Sequence, residues 1–212
     1  IDRFMLGVAL AAASPGFMVR SVPRPLLPRA TAYMHCTIYP TFSLIDYDKA
    51  KPFMDECVET TKTEEGVVYY GWSVSEDRSK LHCRETYIDG KAAATHLINA
   101  VPIIEKMLDS GAIKLDEIGV MGTAEELADV KEEADKLGCA YWEVWDSFAN
   151  FKQQPSTLVS DKLCTVTPTF TLHDLALAEP FMKQCVDATR SEPGCVFYGF
   201  TIDRAAGEKF FR

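Results

Sequence analysis

The sequence predicts a mixed α+β protein built from two related halves. Three observations carry this. Residues 36–84 align without a gap onto residues 164–212, at a fixed offset of 128. Stretches of period two alternate with stretches of helical period. The strands carry large side chains on both faces, so both faces require cover. The paired positions include Pro40/Pro168, Phe42/Phe170, Asp46/Asp174, Pro52/Pro180, Gly66/Gly194 and Tyr70/Tyr198. A period of this length means tandem domains, because solenoid repeats run about 20–50 residues.

The first copy reads as follows. Residues 36–42 form a strand, with Cys36, Ile38 and Phe42 on one face and Thr37, Tyr39 and Thr41 on the other. Asp46 is a fair N-cap for the helix that follows, whose inner face is Ala50, Phe53, Met54, Cys57, Val58 and Thr61. Gly66 ends the next turn. "VVYYGWSVS" is a strand, "EDRS" a hairpin turn and "KLHCRETYI" the returning strand. "DGKAAATHLINAVPIIEKMLDSG" is a second helix, expected to break before Pro102, which cannot donate a backbone hydrogen bond. "LDEIGVMG" is a strand. "TAEELADVKEEADKLG" is a helix with a capping box from Thr123 and Glu126, ending at Gly138. "AYWEVWDSF" closes as a strand.

This order, β-α-β-β-α-β with an appended α-β, is the split βαβ or ferredoxin-like arrangement. Helices cover one sheet face. The aromatics on the other, Tyr39 with Tyr69 or Tyr70, need cover too, and two such sheets packed face to face supply it. The expected organisation is an extension over residues 1–32, a first domain over 33–149, a linker over 150–161 and a second domain over 162–212. The second copy stops inside a strand, so the chain reads as a fragment.

Composition narrows the function. The net charge of −9 argues against nucleic acid as a partner. The first thirty residues hold four Arg and one Asp, a charge of +3, which leaves −12 for the remainder. Their apolar run, about residues 4–13, is too short to span a membrane but suits a signal core, so no membrane span is expected. The Arg- and Pro-rich stretch after Phe17 resembles the second part of a plastid presequence in algae with secondary plastids. Plastid targeting is the expectation, a cytoplasmic location the alternative. Seven Cys with no CxxC fit neither a fully paired disulfide framework nor a zinc module, and read as small core residues in a reducing compartment.

The stretch "LHCRETYIDGKAAATHLIN" resembles the antibiotic biosynthesis monooxygenase (ABM) family, in which a strand ending Glu-x-aromatic leads to a helix with Ala-x-x-x-His-Leu. The matching positions are Glu85, Tyr87, Ala92, His96 and Leu97. "EEGVVYYGWSVSEDRSKL" is similar to that domain's Glu-x-Gly strand and hairpin. The likeness covers residues 33–110 and again 162 to the end. It implies a dimeric α+β barrel, paired within one chain or between two. Some relatives oxidise aromatics or quinols with O2 and no cofactor; others bind or degrade haem; many have no known activity. The Ser-Pro-His that often follows the helical His-Leu is replaced here by "INAVP".

Among the four His, none shows metal-ligand spacing, and no HExxH, phosphate-binding glycine loop or GxSxG is present. The candidate catalytic residues are His96 and Glu85. His96 falls at the edge of the helix's inner face, and Glu85 stands within reach on the third strand. Such a pair fixes the imidazole tautomer and raises its basicity, which suits proton abstraction from a phenol or hydroquinone. The plainer reading is a buried hydrogen bond pinning helix to sheet. Tyr39, Tyr70, Trp72, His82 and Tyr87 are candidate pocket residues for a small aromatic molecule, or else ordinary core. Tyr39 becomes Thr167 and His82 becomes Phe210 in the second copy, so the copies do not share one pocket. The expectation is a monooxygenase acting on a small aromatic or quinone-like substrate with no cofactor and no metal. The alternative is a non-catalytic binding or assembly module of the same fold.

Overall fold

The computed structural model describes residues 35–149, 164–203 and 210–211. The expected targeting extension and the linker lie outside the described residues. The first strand is bent in two, β1 (Cys36–Ile38) and β2 (Thr41–Leu44), on either side of Pro40. Pro40 has no N–H for the ladder, and the chain bends where the donor is lost. Its carbonyl still accepts from Cys83 N at 3.1 Å.

Helix α1 (Tyr47–Thr61) follows, capped by Asp46, whose side chain accepts from Lys49 N. Then come β3 (Val67–Val74), β4 (Lys80–Tyr87), α2 (Gly90–Asp109), β5 (Ile113–Glu117) and β6 (Gly119–Gly122). β4 runs antiparallel to β3 on one side and to β1 and β2 on the other. β2 pairs antiparallel with β5, and β1 with β6. The spatial order is therefore β3, β4, β1/β2, β5/β6, which is the ferredoxin-like sheet. Helix α3 (Ala124–Lys136) then crosses over to β7 (Ala140–Ala149), which lies parallel to β6. The Thr123–Glu126 capping box is formed, and Gly138 takes a φ of +68° just past the helix end.

The remaining elements are β8 (Phe170–Thr171), α4 (Leu175–Thr189), β9 (Phe197–Ile202) and β10 (Phe210–Phe211). β9 joins the outer edge of β7 antiparallel, so one sheet continues into the second half. α4 has the length of α1, is capped by Asp174 as α1 is by Asp46, and Gly194 has a φ of +86° against +85° at Gly66.

Pro102 does not break α2, which runs unbroken from Gly90 to Asp109. Pro102 deprives the Ile98 carbonyl of its partner, and Ile98 lies on the exposed side of the helix, 59 % accessible. The carbonyl is therefore on the side where water is at hand, which makes the lost bond tolerable.

The core lies between the sheet and the helices. One cluster gathers Cys36, Ile38, Tyr87, Ala93, Leu97, Val120 and Val130; the other gathers Phe42, Leu44, Ala50, Met54, Leu81 and Met107. On β4, Leu81, Cys83, Glu85 and Tyr87 are buried, alternating with the more accessible His82, Arg84 and Thr86. The face away from the helices is mostly polar. Thr41 Oγ1 meets His82 Nδ1 at 3.1 Å, and Lys80 pairs with Asp116 at 2.7 Å. Its aromatics find cover within the domain. Tyr39 folds over Gly119, where even a Cβ would collide with its ring, and the Arg84 guanidinium lies 3.9 Å over the Tyr69 ring.

Candidate functional site

Three segments converge beneath α2. The helix starts at Asp89, whose side chain accepts from Ala92 N at 2.8 Å. Its inner face then presents Ala93, His96, Leu97 and Ala100, all buried. From β4, Glu85 and Tyr87 point to the same side because they are two residues apart on a strand. The turn between α1 and β3 brings Glu64. That turn is held at one end by Glu64 N donating to Thr61 O at 3.1 Å, and at the other by Ile88 N donating to Gly66 O at 2.8 Å.

The imidazole of His96 is 2 % exposed and engaged at both nitrogens. Nδ1 lies 2.8 Å from Glu64 Oε2, and Nε2 lies 3.2 Å from Glu85 Oε2. Asn99 Nδ2, one helical turn beyond His96, donates to the other Glu64 oxygen at 3.0 Å. Tyr87 OH donates to Glu85 Oε2 at 3.1 Å. The rings of Tyr87 and Tyr70 flank the imidazole at 5.1 and 5.4 Å between centroids.

Burial pushes the His96 pKa down, but the charges of Glu85 and Glu64 and their hydrogen bonds outweigh it, and the value rises to about 9. His96 is therefore an imidazolium at neutral pH, donating from both nitrogens. Burial likewise works to raise the Glu64 pKa, and the hydrogen bonds from His96 and Asn99 overcome it, leaving the carboxyl below its usual range. Burial and the neighbouring Cys83, Glu85 and Cys57 hold the Tyr70 phenol firmly protonated. Trp72 packs edge-on to Tyr70 at 6.1 Å, and its buried Nε1–H has no acceptor among the described residues.

The structure thus brings His96, Glu85, Tyr70 and Tyr87 together, with Trp72 beside Tyr70. It places Tyr39 and His82 apart from them. Strand alternation is the reason: His82 sits between the inward Leu81 and Cys83, and Tyr39 lies opposite Gly119 on the outer face. Two residues escaped the sequence reading, Glu64 and Asn99. Glu64 is the acid of the Glu-x-Gly triplet noted above, and Asn99 lies in the "INAVP" stretch that departs from the family pattern. Among the described residues no group of three His, Cys, Asp or Glu is disposed to hold a metal ion, and no helix is long and apolar enough to cross a membrane.

No protein-family model and no curated protein matches the chain. Several solved structures align with part of the chain. MupZ from Pseudomonas fluorescens superposes with a TM-score of 0.51 at 22 % identity, over 59 % of this chain and 96 % of that one. A Nitrosomonas europaea protein provisionally named an antibiotic biosynthesis monooxygenase gives 0.34 at 20 % identity, over 44 % of this chain and 93 % of that one. A Bacteroides thetaiotaomicron protein of unknown function, with "Possible Oxidoreductase" in its name, gives 0.38 at 14 % identity, over 43 % and 99 %. The likeness to MupZ is one of fold: a mixed α+β, ferredoxin-like domain.

Proposed function

We propose that this chain is an ABM-like monooxygenase that works without a cofactor on a small aromatic or quinone-like substrate, with His96 and Glu85 as its acid–base pair. The observation that carries this is the buried Glu64–His96–Glu85 trio. A pin between helix and sheet needs one carboxylate at most. A second carboxylate, a tyrosine hydroxyl and an amide add desolvation cost that a packed apolar contact would avoid. Titratable groups gathered and shifted in this way cluster at functional sites.

The chemistry follows from proton affinity. An imidazole with a pKa of about 9 lies near that of a phenol, about 10, so proton transfer between them is close to balanced. The substrate's acidic proton passes to the fraction of His96 that is deprotonated, which grows as pH rises toward 9, and Glu85 stabilises the imidazolium that forms. The resulting anion gives one electron to O2, leaving a carbon-centred radical and superoxide. The two join as a peroxide, which takes the proton back from His96. Loss of water then converts the hydroperoxide to a carbonyl. Tyr70, Trp72 and Tyr87 would form the aromatic side of the pocket.

The second reading is a binding or assembly module of the same fold. It is favoured by the closure of His96, which is 2 % exposed with both nitrogens occupied. Under either reading, the second half (α4 and β9) is taken as a related domain, paired within the chain or with another copy as a dimeric α+β barrel. Its support is the shared helix length, the equivalent Asp caps and the matching glycine turns.

Oxygen uptake with a panel of hydroquinones and anthrones tests the first reading. Uptake by the wild type that collapses in His96→Ala is the expected result. Equal rates in the two proteins would remove His96 from the mechanism, and no uptake with any substrate would favour the binding module.

A further inference from the structure

We infer that the Glu64 carboxylate occupies a binding seat for a small organic carboxylate, and that it leaves this seat when the ligand enters. The inference rests on reading His96 as a working residue, but it needs no oxygen chemistry.

The seat is built by α2. His96 Nδ1 and Asn99 Nδ2, three residues apart and so on one helix face, each hold one oxygen of the same carboxylate, at 2.8 and 3.0 Å. Two donors converging on two oxygens of one planar group are a general carboxylate receptor, and nothing in it depends on the carboxylate belonging to the chain. Glu85 closes the far side of the imidazole, so an anion bound at Nδ1 is stabilised by a cation whose other nitrogen is already satisfied.

Glu64 differs from the other members of the site in its support. His96 and Asn99 lie on a helix, and Glu85 and Tyr87 on a central strand. Glu64 alone stands on a turn, and the residue is partly open to solvent although its carboxylate is covered. The backbone around it is fixed, at Thr61 before it and at Gly66 after it. Gly66 itself lies so close to α2 that a Cβ there would stand 2.7 Å from Ala92 Cβ. A rotation of the Glu64 side chain alone therefore moves its carboxylate from the seat to water. The exchange is nearly balanced: an entering carboxylate remakes the two hydrogen bonds that Glu64 gives up, while Glu64 gains hydration. The exchange also brings the ligand into contact with His96 Nδ1, which the closed form denies to every substrate.

The experiment uses benzoate and acetate as probes, with benzyl alcohol as the neutral control, on wild type, Glu64→Ala and Glu64→Gln. Binding is read by thermal shift and by perturbation of the His96 ring resonances. Emptying the seat removes the internal competitor, so Glu64→Ala is expected to bind benzoate at least about tenfold more tightly than wild type. Its melting temperature should rise with benzoate and not with benzyl alcohol. Adding Asn99→Ala should lose about tenfold again. Glu64→Gln keeps the volume and replaces the charged competitor with a weaker one, so it decides the matter if the alanine variant does not fold. No gain of benzoate affinity in either folded variant would overturn the inference, as would a gain that leaves the His96 resonances unmoved. Carboxylate binding without oxygen uptake would sink the oxygenase and leave the seat standing. Uptake with neutral hydroquinones and no carboxylate binding would do the reverse.

Discussion

Glu64 and Glu85 face each other across a single imidazole, one from a turn and one from a central strand. Each places an oxygen within 3.2 Å of its own nitrogen of His96. The arrangement couples three parts of the fold, the α1–β3 turn, β4 and α2, through one protonated ring. It also makes stability depend on the charge of that ring.

Stability should therefore have a maximum in mildly acid solution and fall on both sides. His96 has its folded pKa raised from 6.5 to about 9. Its contribution is complete below about 6.5 and is lost as pH rises through about 9. Glu64 has its folded pKa lowered from 4.5. Its contribution is complete above about 4.5 and is lost as pH falls through the lowered value. The groups facing the ring are Glu64, Glu85, Tyr70 and Tyr87, and the two phenols stay protonated across this range. Denaturant midpoints measured from pH 3 to 10 should show both flanks, by about these principles of linkage. In His96→Gln the alkaline flank should flatten. A variant that retains it would place the titration elsewhere.

Removing Glu85 should cost more than removing Glu64. Glu85 is 5 % exposed and accepts from both His96 and Tyr87, so Glu85→Ala strands two buried donors. The loss of a buried charge partner is worth about 3–5 kcal/mol. The Glu64 seat borders the solvent, so water can replace its carboxylate, and Glu64→Ala should cost less, about 1–2 kcal/mol. Urea denaturation of the two variants at one pH ranks them. The opposite order would mean that the turn, not the strand, anchors the imidazole.

Much of this site was legible before the fold was known, and the remainder was hidden for definite reasons. The His96–Glu85 pairing followed from helical spacing and strand alternation, which are local. Glu64 was missed because it lies on a turn, where no periodicity says which way a side chain points. Tyr39 and His82 stand apart from His96 because alternation along their strands turns them to the face away from the helices, where the sequence pattern already puts Tyr39. Pro102 misled because its cost depends on whether the orphaned carbonyl meets water, which is a property of the packed helix.

Gly66 and Gly194 offer a paired test of the site's backbone. Both sit at the same repeat position with φ of +85° and +86°. An alanine at either is strained by about 1–2 kcal/mol. At Gly194 the new Cβ meets nothing within 4 Å among the described residues, whereas at Gly66 it meets Ala92 Cβ at 2.7 Å. Gly66→Ala should therefore be the more destabilising, and by pushing the turn from α2 it should also loosen Glu64 from His96. Equal costs would show that the turn can retreat freely, which would weaken the case for a fixed backbone beneath the Glu64 seat.

Cysteine reactivity reads the burial of the helices directly. Cys57 on α1 and Cys185 on α4 are equivalent in the repeat, yet Cys57 is fully buried and Cys185 exposed. The difference is one of cover: α1 packs against α2 and β3, and no counterpart of α2 packs on α4 among the described residues. Burial pushes the Cys57 thiol up to about 12, with Glu85 and Glu56 adding to it and a hydrogen bond from Tyr70 working against them. Cys83 is raised in the same direction, and Cys36 and Cys139 are also raised by burial. Since the thiolate is the nucleophile, these four should resist an aromatic disulfide reagent until the protein unfolds. Cys164 and Cys185, both exposed, should react at once. Peptide mapping after a short exposure distinguishes them. Labelling of Cys57 as fast as Cys185 would mean that α1 opens from the sheet in the native state, and with it the cover over Tyr70 and the His96 site.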